Sequence, residues 1–334
     1  MNNIKKIGIS ALAGSLAMFS VNADVVVSGS SEFTYASGSG SSGAGNGASL
    51  TGNPYGMSHD INITGTGELD NGFTYSVNTN LAGQDMAADS SIMTMDMGDL
   101  GVIGFDQGSG KFGISTLENN VPTAYEEADH TVGTLGHGID AVGNTNVLGY
   151  SNTFAGVGIS LQYNPDISAQ AAQGTQAGSN SAGGDTGTNW NTAITSAVPG
   201  VDGLTVAVGY SETENLGLIT DNDEVTGSVN YTMGSVSVGY QRSSVNNNGT
   251  AGGEITAYGI AFNVNENLSV SYSINDNELT SVAAAHVTEE SKGYQAAYSM
   301  GSASVRLALN SADNVGGVQG VNSDNTELSL ALAF

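Results

Sequence analysis

The chain of 334 residues has no cysteine, only four prolines and only six basic residues. Without cysteine it can form neither a disulfide framework nor a thiolate metal site, and it has no cysteine nucleophile. Six Lys and Arg against 32 Asp and Glu give a formal net charge of −26, which makes nucleic acid a poor partner. Beyond residue 23, no apolar run is long enough for a membrane helix.

Residues 1–23 have the pattern of a secretory signal peptide. Lys5 and Lys6 precede an apolar run that ends in the small-residue site of residues 21–23. The run is too short, and too rich in Gly and Ser, to serve as a membrane anchor. We expect cleavage before Asp24, which changes the net charge from −26 to −28.

Glycine is abundant, with 48 residues, and together with scarce proline it suits many turns between strands that keep their ladder hydrogen bonds. The last nine residues, TELSLALAF, alternate strictly between apolar and small or polar side chains, which predicts a strand with one apolar face. The strand prediction is weakest for residues 92–106, because the alternation of the methionines there does not continue into Ile103 and Phe105. About sixteen segments share the alternation: 24–36, 58–67, 72–82, 92–106, 111–117, 145–154, 157–164, 188–198, 203–212, 222–233, 235–244, 254–264, 267–275, 288–299, 302–311 and 325–334.

The connections between these segments alternate between short and long. Short turns such as 69–72, 106–110 and 199–203 alternate with long polar stretches such as 118–144 and 165–187. This alternation predicts one all-β domain over 24–334, an antiparallel up-and-down β-barrel of about sixteen strands that spans a membrane. A soluble β-sandwich would bury the apolar faces instead, but sixteen strands are unusual for that architecture.

Three stretches resemble the general bacterial porins of the Gram-negative outer membrane. The final strand ending in Phe334 looks like the signal that such proteins present to the barrel-assembly machinery, and LDNGFTYS (69–76) is similar to the family's first periplasmic turn and third strand. NVLGYSNTFAGVGISLQYN (146–164) resembles the hairpin after the family's third loop. The resemblance implies short periplasmic turns, long external loops, a homotrimer, and contacts with outer-membrane lipids and lipopolysaccharide.

A barrel of about sixteen strands leaves an aqueous channel, and the predicted inward residues are small and polar. We therefore expect passive diffusion of small hydrophilic solutes, without catalysis. By the resemblance, the loop at 118–144 folds into the lumen and forms the constriction. This loop contains no Lys or Arg, and its acids are Glu118, Glu126, Glu127, Asp129 and Asp140.

Few basic residues are available to oppose these acids. Where the family commonly has Arg-Tyr after the third loop, this chain has Gly149-Tyr150. Arg306 has the inward parity of its strand, and Lys111 is expected inward near the periplasmic rim, whereas Arg242 has outward parity. An acidic constriction with so little opposing charge favours cations over anions.

Other motifs are weaker. The segments DNDE (221–224) and NDNE (275–278) are expected in external loops, where they could bind Ca²⁺ or Mg²⁺ weakly, but neither has the EF-hand pattern. No cofactor is expected, and the four histidines lack the spacing of metal ligands. Three alternatives remain at this point: a substrate-specific channel, a secreted soluble β-rich surface or adhesin protein, and a barrel enzyme such as a lipase or protease.

Overall fold

The computed structural model describes residues 24–40, 52–83, 86–129, 132, 139, 145–165, 187–215, 221–247, 252–280 and 287–334. Sixteen antiparallel strands pair in sequence order, and the first pairs with the last, so the sheet closes into a barrel. The strands are β1 (Asp24–Gly40), β2 (Tyr55–Glu68), β3 (Thr74–Ala82), β4 (Ala87–Asp96), β5 (Val102–Gln107), β6 (Thr145–Phe154), β7 (Val157–Asn164), β8 (Gly187–Ala197), β9 (Leu204–Asn215), β10 (Asn222–Met233), β11 (Val236–Asn247), β12 (Gly252–Asn263), β13 (Leu268–Thr280), β14 (Glu289–Met300), β15 (Ala303–Asp313) and β16 (Ser323–Ala333).

Side chains alternate between the two faces of each strand, and the apolar set faces outward. In β16, Leu328, Leu330 and Leu332 are exposed on the outer surface, whereas Glu327 and Ser329 face the lumen and are buried. A soluble domain would bury the leucines and expose the polar side chains. The outward apolar surface therefore suits contact with lipid acyl chains.

Aromatic side chains stand near both ends of this apolar surface. Toward one end, Trp190 and Tyr210 lie 5.3 Å apart between ring centroids, and at the other end Phe154 and Phe334 are exposed. Pairs of this kind at strand ends are typical of the aromatic girdles that membrane barrels place at the lipid–water interfaces.

The connections are of different lengths at the two rims. The short-turn rim contains the connections 69–73, 97–101, 155–156, 198–203, 234–235, 264–267 and 301–302. The other rim, the long-loop rim, contains among others the connection 108–144 between β5 and β6. The helical segments of the described residues are three short 3₁₀ turns, at Gly98–Leu100, Gly113–Leu117 and Val315–Gly317. No helix in this described part of the chain is both long and apolar enough to cross a membrane.

The predicted fold class and the total of sixteen strands are confirmed, although two errors cancel in the total. The segment 92–106 is not one strand, because the turn 97–101 divides it between β4 and β5. The segment 111–117 is not a strand but contains the 3₁₀ turn Gly113–Leu117. Gly110 and Gly113 have φ of 65° and 69°, a left-handed conformation that a strand ladder does not accept. The predicted short turn 106–110 is therefore the start of the long connection, and the predicted long loop 83–91 is shorter because β4 begins at Ala87.

The segments proposed for weak Ca²⁺ or Mg²⁺ binding are also placed differently. Asn222–Glu224 is the start of β10, and Asn275–Glu278 lies within β13, so neither is a loop. Among the described residues there is no group of three or more His, Asp or Glu arranged to hold a metal ion. Weak divalent-cation binding at these acids stays a prediction.

Candidate functional site

The connection after β5 turns back into the barrel at Asp106. This buried carboxylate accepts hydrogen bonds from the Ser109 N–H (2.7 Å), the Ser109 hydroxyl (2.7 Å) and the Lys111 N–H (3.1 Å). One side chain thus binds three donors of the next five residues and reverses the chain direction. As a result, residues 111–129, which we name the inner loop, enter the lumen.

Near the start of the inner loop lies Phe112, whose ring fills the space over Gly149 on the wall. A Cβ atom at Gly149 would lie 2.0 Å from Cδ2 of Phe112, so no larger residue fits while the ring stays in place. Phe112 is fully buried there, and the fully buried Ile114 packs against Gly209. Gly149, where the resemblance led us to expect arginine, is therefore an apolar socket for the loop in this chain.

Polar wall residues then hold the backbone of the inner loop along the circumference of the barrel. Gln241 uses both ends of its amide. Its Oε1 accepts from the Asn120 N–H, and its Nε2 donates to the Leu117 carbonyl over 2.6 Å. The wall residues that accept loop N–H groups are Ser160 of β7 (from Gly113, 2.8 Å), Asn191 of β8 (from Ile114, 2.9 Å), Gln241 of β11 (from Asn120, 2.8 Å), Ser271 of β13 (from Ala124, 2.8 Å) and Gln295 of β14 (from Tyr125, 3.1 Å).

At its far end the inner loop is fixed to the seam between β16 and β1 by five residues, which we name the tyrosine cluster: Tyr125, Arg306, Glu32, Glu327 and Ser329. The Tyr125 hydroxyl donates to Oε1 of Glu327 over 2.6 Å and lies 3.0 Å from Oε1 of Glu32. Arg306 stacks on the Tyr125 ring, with Cζ 4.4 Å from the centroid, and forms an ion pair with Glu32 (2.6 Å).

The acidic surroundings affect the Tyr125 phenol. Burial, followed by the hydrogen bond to Glu327, raises its pKa well above the ordinary value of 10.0. The phenol therefore stays protonated at neutral pH and remains a donor to the carboxylate.

The predicted constriction residues occupy different positions. Arg306 faces the lumen, where its guanidinium is paired with Glu32 and stacked on the Tyr125 ring of the inner loop. Asp129 is buried and accepts a hydrogen bond from Asn275 (2.9 Å), so it lies against the wall. The remaining acids are the exposed Glu118 and the partly buried Glu126 and Glu127, while Asp140 lies outside the described residues.

Lys111 is exposed and enters the lumen on the inner loop, as the first residue after the turn at Asp106. It lines a cavity with residues next to the short turns, such as Gly98 and Ser151. The cavity lies in the half of the lumen near the short-turn rim.

Sequence reasoning missed two lumen acids, Glu32 and Glu327. Both have the inward parity of their strands, because Glu32 is opposite Ala331 and Glu327 is two residues from the inward Ser329. Parity alone could have found them, since the same rule had selected Arg306. Parity could not predict that the two acids lie close to Arg306, because this proximity depends on the closure of the barrel.

The inner loop covers one side of the lumen more than the other. Inward side chains of β8–β10 next to it, such as Asn191 and Thr226, are almost completely buried. Inward side chains of β2 and β3, such as Asn62, Asn78 and Asn80, are only partly buried and bond mainly to one another and to Thr64. The open part of the lumen therefore lies between the inner loop and β2–β4.

A closed sixteen-strand barrel with an outward apolar surface and a chain segment inside its lumen defines a transmembrane channel of the porin type. The profile of the Gram-negative porin family matches residues 9–334, and the chain belongs to this family.

Solved porin structures share the fold at low sequence identity. A porin refined at 1.8 Å is 12% identical with a TM-score of 0.65, covering 93% of this chain and 100% of that chain. Salmonella typhi OmpF in complex with daunomycin is 10% identical with a TM-score of 0.65, over 93% and 97%. The trimer form of Vibrio cholerae OmpT, folded in vitro, is 11% identical with a TM-score of 0.64, over 94% and 100%. No curated protein matches the sequence.

Proposed function

We propose that this porin forms a water-filled channel in the outer membrane of a Gram-negative bacterium, through which small hydrophilic solutes and ions diffuse passively, with a preference for cations. The observation that carries the proposal is the inner loop, which narrows the lumen but leaves the side of β2–β4 open. The family is one of channels rather than enzymes.

The preference for cations rests on the charges around this narrow region. The inner loop contributes Glu118, Glu126 and Glu127 against one base, Lys111, and the wall adds Glu327. Arg306 is the basic member of the tyrosine cluster, and its ion pair with Glu32 cancels its charge locally. The acids exceed the bases, and such a constriction concentrates cations and repels anions.

Reversal potentials in planar bilayers under a KCl gradient test both parts of the proposal. We expect stepwise openings with a cation-selective reversal potential, and a shift toward zero when Glu118, Glu126 and Glu127 are all replaced by Gln. The control is Glu266→Gln, an exposed acid of the short turn 264–267, which should leave the potential unchanged. An unselective channel would contradict the role of the acids, and folded protein without conductance would contradict the channel itself.

We extend the proposal to processing and assembly. Cleavage before Asp24, delivery by the barrel-assembly machinery, contact with lipopolysaccharide and association into a homotrimer are expected of an outer-membrane porin. The trimer form of Vibrio cholerae OmpT supports the last of these. N-terminal sequencing of the mature protein should begin at Asp24, and the mass of the detergent-extracted protein should be three times that of one chain. A different first residue or a monomer mass would contradict the respective part.

A further inference from the structure

An open cavity lies in the lumen between the inner loop and the short-turn rim. Its volume is about 530 Å³, within the range of small-molecule sites. The ends of β4, β6, β7 and β8 line one side, and the inner loop contributes Lys111 and Thr116 on the other. A solute that has passed the inner loop from the long-loop rim would enter this cavity next.

Lys111 differs from the other basic residues of the described chain. Arg306, Arg242 and Lys292 each form an ion pair with a glutamate, namely Glu32, Glu254 and Glu290. The Lys111 ammonium, by contrast, has no ion-pair or hydrogen-bond partner among the residues that the structure describes; the residue is held through its backbone N–H, which donates to Asp106. In a chain of net charge −26, an unpaired ammonium inside a cavity is a distinctive feature.

The position of Lys111 is also fixed. The turn at Asp106 holds its backbone, and the next residue, Phe112, is buried over Gly149. The Lys111 side chain extends from this fixed backbone and lines the cavity. Across the cavity the lining offers hydroxyl groups, from Ser151, Thr153 and Thr195, and one carboxylate, Asp96, which accepts a hydrogen bond from the Gly98 N–H (2.8 Å).

We propose that this cavity is a binding subsite for small hydroxylated carboxylates. The carboxylate binds the Lys111 ammonium through charge-assisted hydrogen bonds, and the hydroxyl groups of the solute bond to Ser151, Thr153 and Thr195. The inference rests on the proposed channel function and adds a class of solute to it. The subsite gives anionic solutes one favourable position within a lumen whose other charges repel them.

Block of the K⁺ current by sodium gluconate, with sorbitol and acetate as comparison solutes, tests the subsite. Gluconate has a carboxylate and hydroxyl groups, whereas sorbitol lacks the charge and acetate lacks the hydroxyls. In the wild-type channel, gluconate should block at concentrations at least tenfold lower than either comparison solute. Lys111→Met should raise the half-blocking concentration of gluconate about tenfold, and Arg242→Gln, on the outer surface, should leave it unchanged.

Several outcomes would overturn the subsite while keeping the channel. Openings in KCl with equal block by gluconate and sorbitol would do so, as would gluconate block that survives Lys111→Met. The double variant Ser151→Ala, Thr153→Ala should abolish the advantage of gluconate over acetate, and retention of that advantage would remove the hydroxyl part of the proposal. Absence of openings in KCl alone would instead contradict the proposed function.

Discussion

Gly149 shows how one absent side chain shapes the pore. Its lack of a Cβ atom lets the Phe112 ring lie directly on the wall, and this contact starts the path of the inner loop. An arginine at this position would place a charge in the lumen and would also remove the socket. Glycine at position 149 therefore provides the apolar anchor for Phe112 and also leaves the wall with one cation fewer.

Gly149→Ala should displace Phe112 and loosen the start of the inner loop. The new Cβ would be 2.0 Å from a ring carbon, and a buried aromatic side chain cannot yield by that distance without moving its backbone. We expect an altered single-channel conductance and a more variable open level. Gly65→Ala is the matched control, because nothing lies within 4 Å of a Cβ there. Equal conductance of the two variants and the wild type would contradict the socket.

Tyr125→Phe should loosen the far end of the inner loop, which then keeps the bonds from the Tyr125 N–H to Gln295 and from Asn275 to Asp129. The variant keeps the ring under Arg306 but loses the hydroxyl that donates to Glu327, a hydrogen bond to a charged group worth about 2 kcal/mol. Current fluctuations at neutral pH should increase several-fold compared with the wild type. Arg242→Gln, on the outer surface, should not reproduce the change.

The same residue predicts a pH dependence of the wild-type channel. The pKa of Tyr125 is raised in the docked loop, so docking favours the neutral phenol. The Tyr125 phenol therefore stabilises the docked loop in full below pH 10. This stabilisation is lost as the pH rises above that value through the pKa of the docked state. Current recordings at alkaline pH should show wild-type fluctuations approaching those of Tyr125→Phe, while the variant changes little. A wild-type increase between pH 7 and 9 would contradict this assignment.

Among the elements, β16 connects sequence pattern and barrel closure most directly. Phe334, the residue that follows this strand, exchanges two backbone hydrogen bonds with Gly29 of β1, each 2.9 Å long, and its ring lies over the same glycine on the outer surface. Since closure uses backbone groups, the aromatic ring is available for recognition before the seam forms.

Phe334→Ala should therefore reduce the yield in the outer membrane several-fold, because the variant loses the proposed assembly signal. Protein refolded in detergent should conduct as the wild type does, since the backbone bonds to Gly29 remain. Leu332→Ala, an exposed outward residue of the same strand, should lower the yield less. Quantitative immunoblots of membrane fractions measure the yield, and equal losses in both variants would argue against a special role of Phe334.

The strands were predictable from sequence because their period of two is local. The pattern placed β6–β16 within a few residues, including the inward face of Arg306. It failed between residues 92 and 117, where Gly101, Gly110 and Gly113 adopt positive φ and the chain leaves the sheet. The bonds from Asp106 to Ser109 and Lys111 that turn it inward are set by three-dimensional geometry rather than by any alternation.

The site was less predictable from the sequence, because its contacts join distant parts of the chain. The acids of 118–129 were identified by composition, but their orientation depends on partners such as Asn275, which binds Asp129. Likewise, Arg306 was found by parity, whereas its pairing with Glu32 depends on the closure of β1 onto β16. Residue types were predictable, and pairings were not.

At the scale of the whole molecule, the large negative charge predicts a salt-dependent selectivity. The Debye length falls from about 10 Å at 0.1 M to about 3 Å at 1 M, so fixed acids away from the ion path are screened at high salt. We expect the reversal potential for a tenfold KCl gradient to decrease markedly when the mean concentration rises from about 0.1 to about 1 M. A potential independent of concentration would instead indicate that selectivity arises at direct contact with the ion.

The pairing of the first strand with the last has a consequence for how the chain folds. Glu32 and Ser329, which meet at the seam, are 297 positions apart, so this ladder closes the largest loop in the barrel. Until β16 arrives, β1 presents an unpaired edge, which hydrocarbon does not tolerate. Membrane insertion and seam closure must therefore be concerted, and the slow step of folding should be the meeting of the two ends rather than the growth of hairpins.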